Sequence, residues 1–138
     1  MGLTIRNKES SIDMGSGGFC RLRETIAGIL SEEFKDLYVS WTSLSNPISD
    51  DEGNERLKAL FEKRALKEED APVLDFLFKP DSEGKLSPKE CKRLYSLIKD
   101  YDNNILYGYV GRPDCARFRD FKAIVEECAK NRWVLVWR

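Results

Sequence analysis

The sequence predicts a single α+β domain over residues 1–138, in which a small antiparallel sheet is packed by about five to six helices. Three observations favour this fold class. Apolar and polar residues alternate near the N-terminus, apolar residues recur with helical spacing through the middle, and a short aromatic and β-branched segment closes the chain. Since the strand patterns lie at both ends, we expect one sheet, built from an N-terminal hairpin and a C-terminal strand, with the helices on one face.

The N-terminal hairpin is predicted from two alternating segments and the polar stretch between them. Leu3 and Ile5 alternate with polar residues, and the same pattern returns in residues 12–14. Residues 7–11 (NKESS) are polar and typical of a turn. The glycine-rich residues 15–18 (GSGG) match neither common phosphate-loop pattern, so we interpret them as a flexible connection to the first helix.

The middle of the chain carries helical patterns with recognisable starting residues. Ser31, Asp70 and Asp114 are predicted N-caps, and Ser87 with Glu90 forms a capping box. Apolar residues three and four positions apart give each segment a face to bury. These segments are residues 19–30, 34–41, 57–61, 73–78, 91–101 and 118–128.

The C-terminal strand is predicted over residues 133–137 (WVLVW), and Asn131 is the expected left-handed stop of the helix before it. An unpaired edge of this composition would invite aggregation. We therefore expect this strand to pair with the N-terminal hairpin.

The charge and residue counts exclude several function classes. Twenty-three Lys and Arg balance twenty-four Asp and Glu, so nucleic-acid binding, which normally needs a basic excess, is unlikely. The chain has no His, which rules out Ser-His-Asp and Cys-His catalysis and His-ligated zinc. No apolar stretch has the length of a membrane span, and no secretory signal is recognisable. The four Cys lack C-x-x-C spacing, which favours free thiols in the cytoplasm.

Residues 79–90 resemble a degenerate EF-hand calcium loop. When the loop is aligned on the Gly at position 84, Asp81 and Glu83 take its third and fifth positions, and Glu90 is the closing carboxylate. The resemblance implies weak Ca²⁺ or Mg²⁺ binding by these three carboxylates. Lys79 departs from the pattern, because a cation replaces the Asp expected at the first position. The alternative interpretation is structural, with a turn at residues 81–84 followed by the capping box.

An aromatic, Arg-bearing region near the C-terminus is the predicted partner-binding surface. Residues 105–113 (ILYGYVGRP) are irregular, and the candidate contact residues are Tyr107, Tyr109, Arg112 and Arg117. Tyr and Arg are enriched in the residues that contribute most to protein–protein binding. The competing interpretation is a loop that packs its aromatic side chains onto the sheet.

Several segments together resemble a group of small bacterial and mobile-element proteins of unknown function. They are residues 1–5 (MGLTI), 17–23 (GGFCRLR), the loop and cap at 81–91, and 120–137. The resemblance implies a bacterial, cytosolic context and no catalytic activity. Our first hypothesis is thus non-catalytic binding of another protein, with metal binding and carboxylate- or thiol-based catalysis as alternatives. The oligomeric state stays open.

Overall fold

The computed structural model describes residues 2–80, 82–101, 106–107 and 116–138, and within them the predicted α+β class is confirmed. The main sheet has four antiparallel strands: β1 (Gly2–Arg6), β2 (Ser11–Gly15), β3 (Gly84–Leu86) and β6 (Leu135–Trp137). A separate two-stranded pair is formed by β4 (Leu106–Tyr107) and β5 (Ala116–Arg117). The six α-helices are α1 (Ser16–Leu30), α2 (Glu32–Trp41), α3 (Asp50–Glu62), α4 (Ala71–Phe78), α5 (Pro88–Ile98) and α6 (Phe118–Asn131).

The order of the main sheet is β2-β1-β6-β3, so the C-terminal strand lies between the hairpin and β3. Ile5 in β1 is opposite Trp137 in β6, which confirms the predicted pairing of the two chain ends. β3 follows the turn that was predicted at residues 81–84, and this strand itself was not predicted. Its three residues are too few to show a strand pattern, yet they pair along β6, where Leu86 is opposite Leu135.

The two faces of the main sheet differ sharply in exposure. We call the side that packs against the helices the inner face. Six of its residues are each at most 3% exposed: Leu3, Ile5, Met14, Leu86, Leu135 and Trp137. Ile12, opposite Ile5, is partly buried against the same core. We call the opposite side the outer face. Its residues are exposed or half-buried: Thr4, Arg6, Ser11, Asp13, Lys85, Val136 and Arg138.

Aromatic rings link the inner face to the helices. The Trp137 indole lies 5.7 Å from the Phe19 ring of α1 and 5.4 Å from the Phe76 ring of α4, measured between ring centroids. Phe76 in turn stacks on Phe121 of α6 at 6.2 Å. Aromatic pairs at these separations contribute beyond the area they bury. The centre of the core is therefore aromatic, and Trp137 joins the sheet to two helices.

Two of the predicted helix starts are confirmed by their capping bonds. The Ser31 side chain accepts the backbone N–H of Phe34 at 3.4 Å. In the predicted capping box, Ser87 Oγ accepts the N–H of Glu90 at 3.2 Å, while Glu90 Oε1 accepts the N–H of Ser87 at 3.0 Å. Local sequence alone is enough to specify such bonds, because donor and acceptor are only three residues apart.

Other boundary predictions are wrong in whole or in part. Residues 15–18 form no separate connection, since β2 ends at Gly15 and α1 begins at Ser16. Asp70 is the N-cap residue of α4, as predicted, but its side chain makes no capping bond; its carboxylate instead accepts from Arg93 Nη2 on α5 at 2.6 Å. Asp114 lies outside the described residues, and α6 begins only at Phe118, after β5.

The left-handed residue at the end of α6 is Arg132, with φ 58° and ψ 42°, rather than Asn131. Its backbone N–H bonds to the carbonyl of Cys128 and closes the helix. Gly and Asn adopt this conformation most easily, so sequence preference pointed to Asn131. The stop therefore lies one residue beyond the predicted position.

Candidate functional site

The end of α4 is anchored by Arg23, a residue of α1 that is only 5% exposed. Its guanidinium donates to three carbonyl oxygens within four residues of the chain: that of Leu77 at 3.2 Å, that of Lys79 at 2.6 Å and that of Pro80 at 3.4 Å. The last carbonyls of a helix carry partial negative charge and lack partners within the helix. Arg23 therefore fixes the point at which the chain leaves α4 and enters the 79–90 loop.

Aromatic side chains complete this anchor. The guanidinium carbon of Arg23 lies 4.3 Å from the Phe19 ring centroid, a distance at which a cation and a ring attract. Trp137 Nε1 donates to the Pro80 carbonyl at 3.1 Å, and the Tyr38 hydroxyl donates to the Leu77 carbonyl at 3.1 Å. Burial raises the pKa of Tyr38 to about 12, so its hydroxyl remains a donor at neutral pH.

Inside the 79–90 loop, the side chain of Lys79 turns toward the oxygen atoms of the loop itself. Lys79 Nζ donates to the backbone carbonyl of Lys85 at 2.6 Å and lies 4.0 Å from Glu90 Oε2. The other carboxylate oxygen, Glu90 Oε1, belongs to the capping box. The loop is thus drawn together around an ammonium group, with its first and last residues in an ion pair.

The three carboxylates predicted as metal ligands are not gathered by the described structure. Asp81 lies outside the described residues, Glu83 is exposed to solvent, and Glu90 is engaged by Ser87 and Lys79. Over residues 2–80, 82–101, 106–107 and 116–138, no group of three or more His, Cys, Asp or Glu side chains is arranged to hold a metal ion. The predicted Ca²⁺ or Mg²⁺ site stays a prediction.

Two of the four predicted partner-binding residues lie in segments that the structure does not describe. Tyr109 and Arg112 lie outside the described residues, and Tyr107 is placed by its backbone in β4, opposite Ala116. Arg117 is exposed at the start of α6, where its backbone N–H donates to the Asp120 carboxylate at 3.0 Å. Their role in binding therefore remains a prediction.

A basic cleft, which the sequence analysis did not predict, lies at the hairpin end of the outer face. It has a volume of about 420 Å³ and is lined by Arg6, Asn7, Lys8, Arg132, Trp133, Val134 and Val136. Arg6 and Lys8 come from the hairpin, while Arg132 comes from the end of α6. Because these residues belong to opposite ends of the chain, only the pairing of β1 with β6 brings them together.

Asn7 holds the two sides of the cleft in place. Its Nδ2 donates to the Ile124 carbonyl at 3.3 Å and to Glu127 Oε1 at 3.0 Å, both on α6. Its Oδ1 accepts the backbone N–H groups of Glu9 and Ser10, which closes the hairpin turn. The turn that presents Arg6 and Lys8 is therefore fastened to the helix that presents Arg132.

The cations of the cleft continue across the outer face. Arg6 and Lys85 are both opposite Val136 in the strand register, so a basic residue flanks Val136 on each side. Arg138 exchanges backbone hydrogen bonds with Thr4, which places it one step further along the same face. The carboxylate of this face is Asp13, which accepts the Thr4 hydroxyl at 2.9 Å.

Among the described residues, the cysteine thiols are poorly placed to react with a substrate. Cys91 of α5 and Cys128 of α6 are both 0% exposed. A hydrogen bond to the Cys128 sulfur raises the pKa of Cys91 well above its ordinary value. Cys20 is exposed, and its thiol donates to Glu24 Oε1 at 3.7 Å. A substrate could not reach the buried pair without unfolding part of the core.

Comparison of the chain with protein-family models, with curated proteins and with solved structures found no match. The resemblance to small bacterial and mobile-element proteins consequently stays a prediction. Among the described helices, none has the length and apolar character needed to cross a membrane.

Proposed function

We propose that the protein acts by binding, without catalysis, and that its partner is an acidic segment of another protein, bound in the basic cleft. One observation carries the proposal: Arg6, Lys8 and Arg132 surround an apolar floor on a face that the described helices leave open. Carboxylates of an acidic segment would pair with the cations, and an aliphatic side chain would rest against the floor.

The ion pairs of the described residues leave out the three cations of the cleft, which supports binding of an external anion. In the described part of the chain, the ion pairs do not include Arg6, Lys8 or Arg132. The described lining of the cleft contains these three cations and no carboxylate. Clustered like charges repel one another, and an anionic partner relieves that repulsion. An acidic ligand would therefore improve the local electrostatics of the cleft.

The charge of the remaining surface favours a protein segment over a nucleic acid. The net charge of the chain is −1, and the first turn of α3 carries Asp50, Asp51 and Glu52. A nucleic-acid binder normally carries a basic excess, because its affinity comes from neutralising phosphates. A short acidic segment needs only the local cations of the cleft.

The proposal also includes where the protein acts and what else it touches. We place it in the bacterial cytoplasm, where a reducing environment keeps Cys20, Cys91 and Cys128 as free thiols. The segment that contains Tyr107, Tyr109, Arg112 and Arg117 is retained as a second contact region for the same partner. No role in this binding is assigned to a metal or another cofactor.

The binding test uses the full chain and a fluorescein-labelled peptide rich in Asp and Glu with a central Leu. Anisotropy at low salt should show binding that weakens as salt is added, because the contact is largely ionic. The double substitution Arg6→Gln with Lys8→Gln should weaken binding by about ten-fold or more. The matched control, Arg56→Gln with Lys58→Gln on α3, removes the same two charges and should leave binding within about two-fold.

Three results would overturn the proposal. The first is that the acidic peptide does not bind at low salt. The second is that the α3 variant loses as much affinity as the cleft variant, which would mean that only net charge matters. The third is that a single-stranded oligonucleotide of equal charge binds more tightly than the peptide, which would assign the cleft to nucleic acid.

A further inference from the structure

We infer that the acidic segment proposed for the basic cleft continues across the outer face of the main sheet to Lys85 on β3. Its sequence then carries acidic residues about three positions apart, with an aliphatic residue between them. This inference rests on the proposed function, because the cleft binds one end of the segment. It adds a contact residue outside the cleft and a spacing that the partner must have.

One row of residues across the outer face carries the inference. Arg6 of β1 and Lys85 of β3 are both opposite Val136 of β6, so a cation lies on each side of an apolar side chain. On the other side of Arg6, the row ends at Ser11 of β2. The row thus consists of two exposed cations, a half-buried Val and a Ser, and it includes no carboxylate.

The neighbouring row differs in charge and sets the direction of the segment. Asp13 of β2 is opposite Thr4 and accepts its hydroxyl at 2.9 Å. Arg138 exchanges backbone hydrogen bonds with Thr4 from the other side. An acidic segment that left the cleft toward β2 would be repelled by Asp13. The row of Arg6 leads instead toward β3, where the next charge is that of Lys85.

Lys85 is available to an external carboxylate. Its side chain is exposed, and the ion pairs within the described part of the chain do not include it. Its backbone is held in place, since its carbonyl accepts from Lys79 Nζ at 2.6 Å and Gly84 lies against the Trp137 ring. Glu83, two residues earlier, is exposed and has the opposite charge, so a carboxylate is favoured at Lys85 and not beyond it.

The spacing of the strands sets the spacing of the carboxylates. Neighbouring strands lie about 4.8 Å apart, so the backbones of Arg6 and Lys85, two strands apart, are separated by about 10 Å. An extended segment advances about 3.3 Å per residue, so acidic residues about three positions apart span this distance. The aliphatic residue between them then lies over Val136.

The test measures fluorescence anisotropy of labelled peptides with the full chain at low salt. The two-sided peptide has an Asp pair on each side of a central Leu, and in two one-sided peptides one of these pairs is replaced by Asn. Lys85→Gln should weaken binding of the two-sided peptide by about three- to five-fold, as expected for one exposed ion pair. It should leave both one-sided peptides within about 1.5-fold, because their remaining Asp pair occupies the cleft.

A rigid spacer and a charge reversal give two further readouts. When six residues of polyproline helix hold the Asp pairs about 19 Å apart, the effect of Lys85→Gln should disappear. Lys85→Glu should weaken the two-sided peptide further and should prefer a peptide in which one Asp pair is replaced by Lys. Lys92→Gln, at an exposed lysine of α5, is the matched control and should leave each affinity within about 1.5-fold. Circular dichroism of each variant checks that its fold is retained.

Equal losses of the two-sided and one-sided peptides in Lys85→Gln would overturn the inference, since they would reflect net charge alone. An unchanged affinity of Lys85→Gln for the two-sided peptide would overturn it as well. If Arg6→Gln with Lys8→Gln still weakened that peptide, the proposed function would stand without the extension to Lys85. Failure of every acidic peptide to bind the wild type would overturn the inference and the proposed function together.

Discussion

The inner and outer faces of the main sheet are built from the same strands, yet they differ in almost every property. Leu135 and Trp137 are 0% exposed, whereas Val136 between them is half-buried on the outer face. The inner face meets aromatic rings of α1 and α4 through Trp137, and the outer face presents Arg6, Lys85 and other polar residues. Successive side chains of a strand point to opposite sides, so one residue separates the core from the binding surface.

We infer that the inner face supplies stability and that the outer face supplies recognition. Large apolar side chains on the inner face contribute to the free energy of unfolding. Charged side chains on the outer face contribute little to stability because they are exposed, and they remain available to a partner. Substitutions should therefore separate into those that change folding and those that change binding.

The largest expected effect comes from truncating neighbouring residues of β6. Leu135→Ala should lower the free energy of unfolding by about 2–5 kcal/mol, since a fully buried Leu leaves a cavity. Val136→Ala, one residue later on the outer face, should cost about 1 kcal/mol or less. Urea unfolding of both variants measures the ratio. Equal losses would mean that the outer face is covered in solution.

Arg23→Met tests whether the interior also depends on a buried cation. Loss of the donors to the carbonyls of Leu77, Lys79 and Pro80 should lower the free energy of unfolding by about 3 kcal/mol. Arg21→Met, an exposed position two residues earlier on α1, is the control and should change it by about 0.5 kcal/mol or less. Chemical denaturation measures both. A stable Arg23→Met protein would contradict the anchoring role of the guanidinium.

A smaller effect is expected where β3 meets the inner face. Gly84→Ala would place a methyl group against the Trp137 ring, and the overpacking should cost about 1–3 kcal/mol. Thermal unfolding measures the loss, and Trp fluorescence reports any displacement of the indole. Lys85→Ala, on the outer side of the same strand, is the comparison and should be close to neutral. An unchanged melting temperature for Gly84→Ala would indicate that β3 shifts freely along β6.

The smallest expected effect concerns a half-buried hydrogen bond between α5 and α6. The Tyr95 hydroxyl donates to Glu126 Oε2, and this bond holds the pKa of Glu126 below its ordinary value. A carboxyl whose pKa is lowered by folding stabilises the fold above its ordinary pKa, and this contribution is lost as pH falls through the lowered value. In Tyr95→Phe, a carbon-13 NMR titration should show the pKa of Glu126 rising. An unchanged value would exclude the bond as the cause.

Local sequence determined several features because the interacting residues are close along the chain. Alternation assigned Leu3 and Ile5 to the inner face, and the capping box of Ser87 and Glu90 set the start of α5. The departure of Lys79 from the calcium-loop pattern was also visible in the sequence. The bond between Asp70 and Arg93, by contrast, was not predicted, because Arg93 lies on another helix.

Features that depend on segments far apart along the chain could not be predicted and are seen only in the tertiary structure. β3 is a strand only because β6 offers it a partner, and the basic cleft exists only because β1 pairs with β6. The direction of the Lys79 side chain was also not predicted, because its bond to the Lys85 carbonyl depends on how the loop folds. The sequence by itself determined the fold class and the local caps, where near neighbours supply the interactions. Pairing between distant segments brings the cations of the basic cleft together, and no local pattern predicts that pairing.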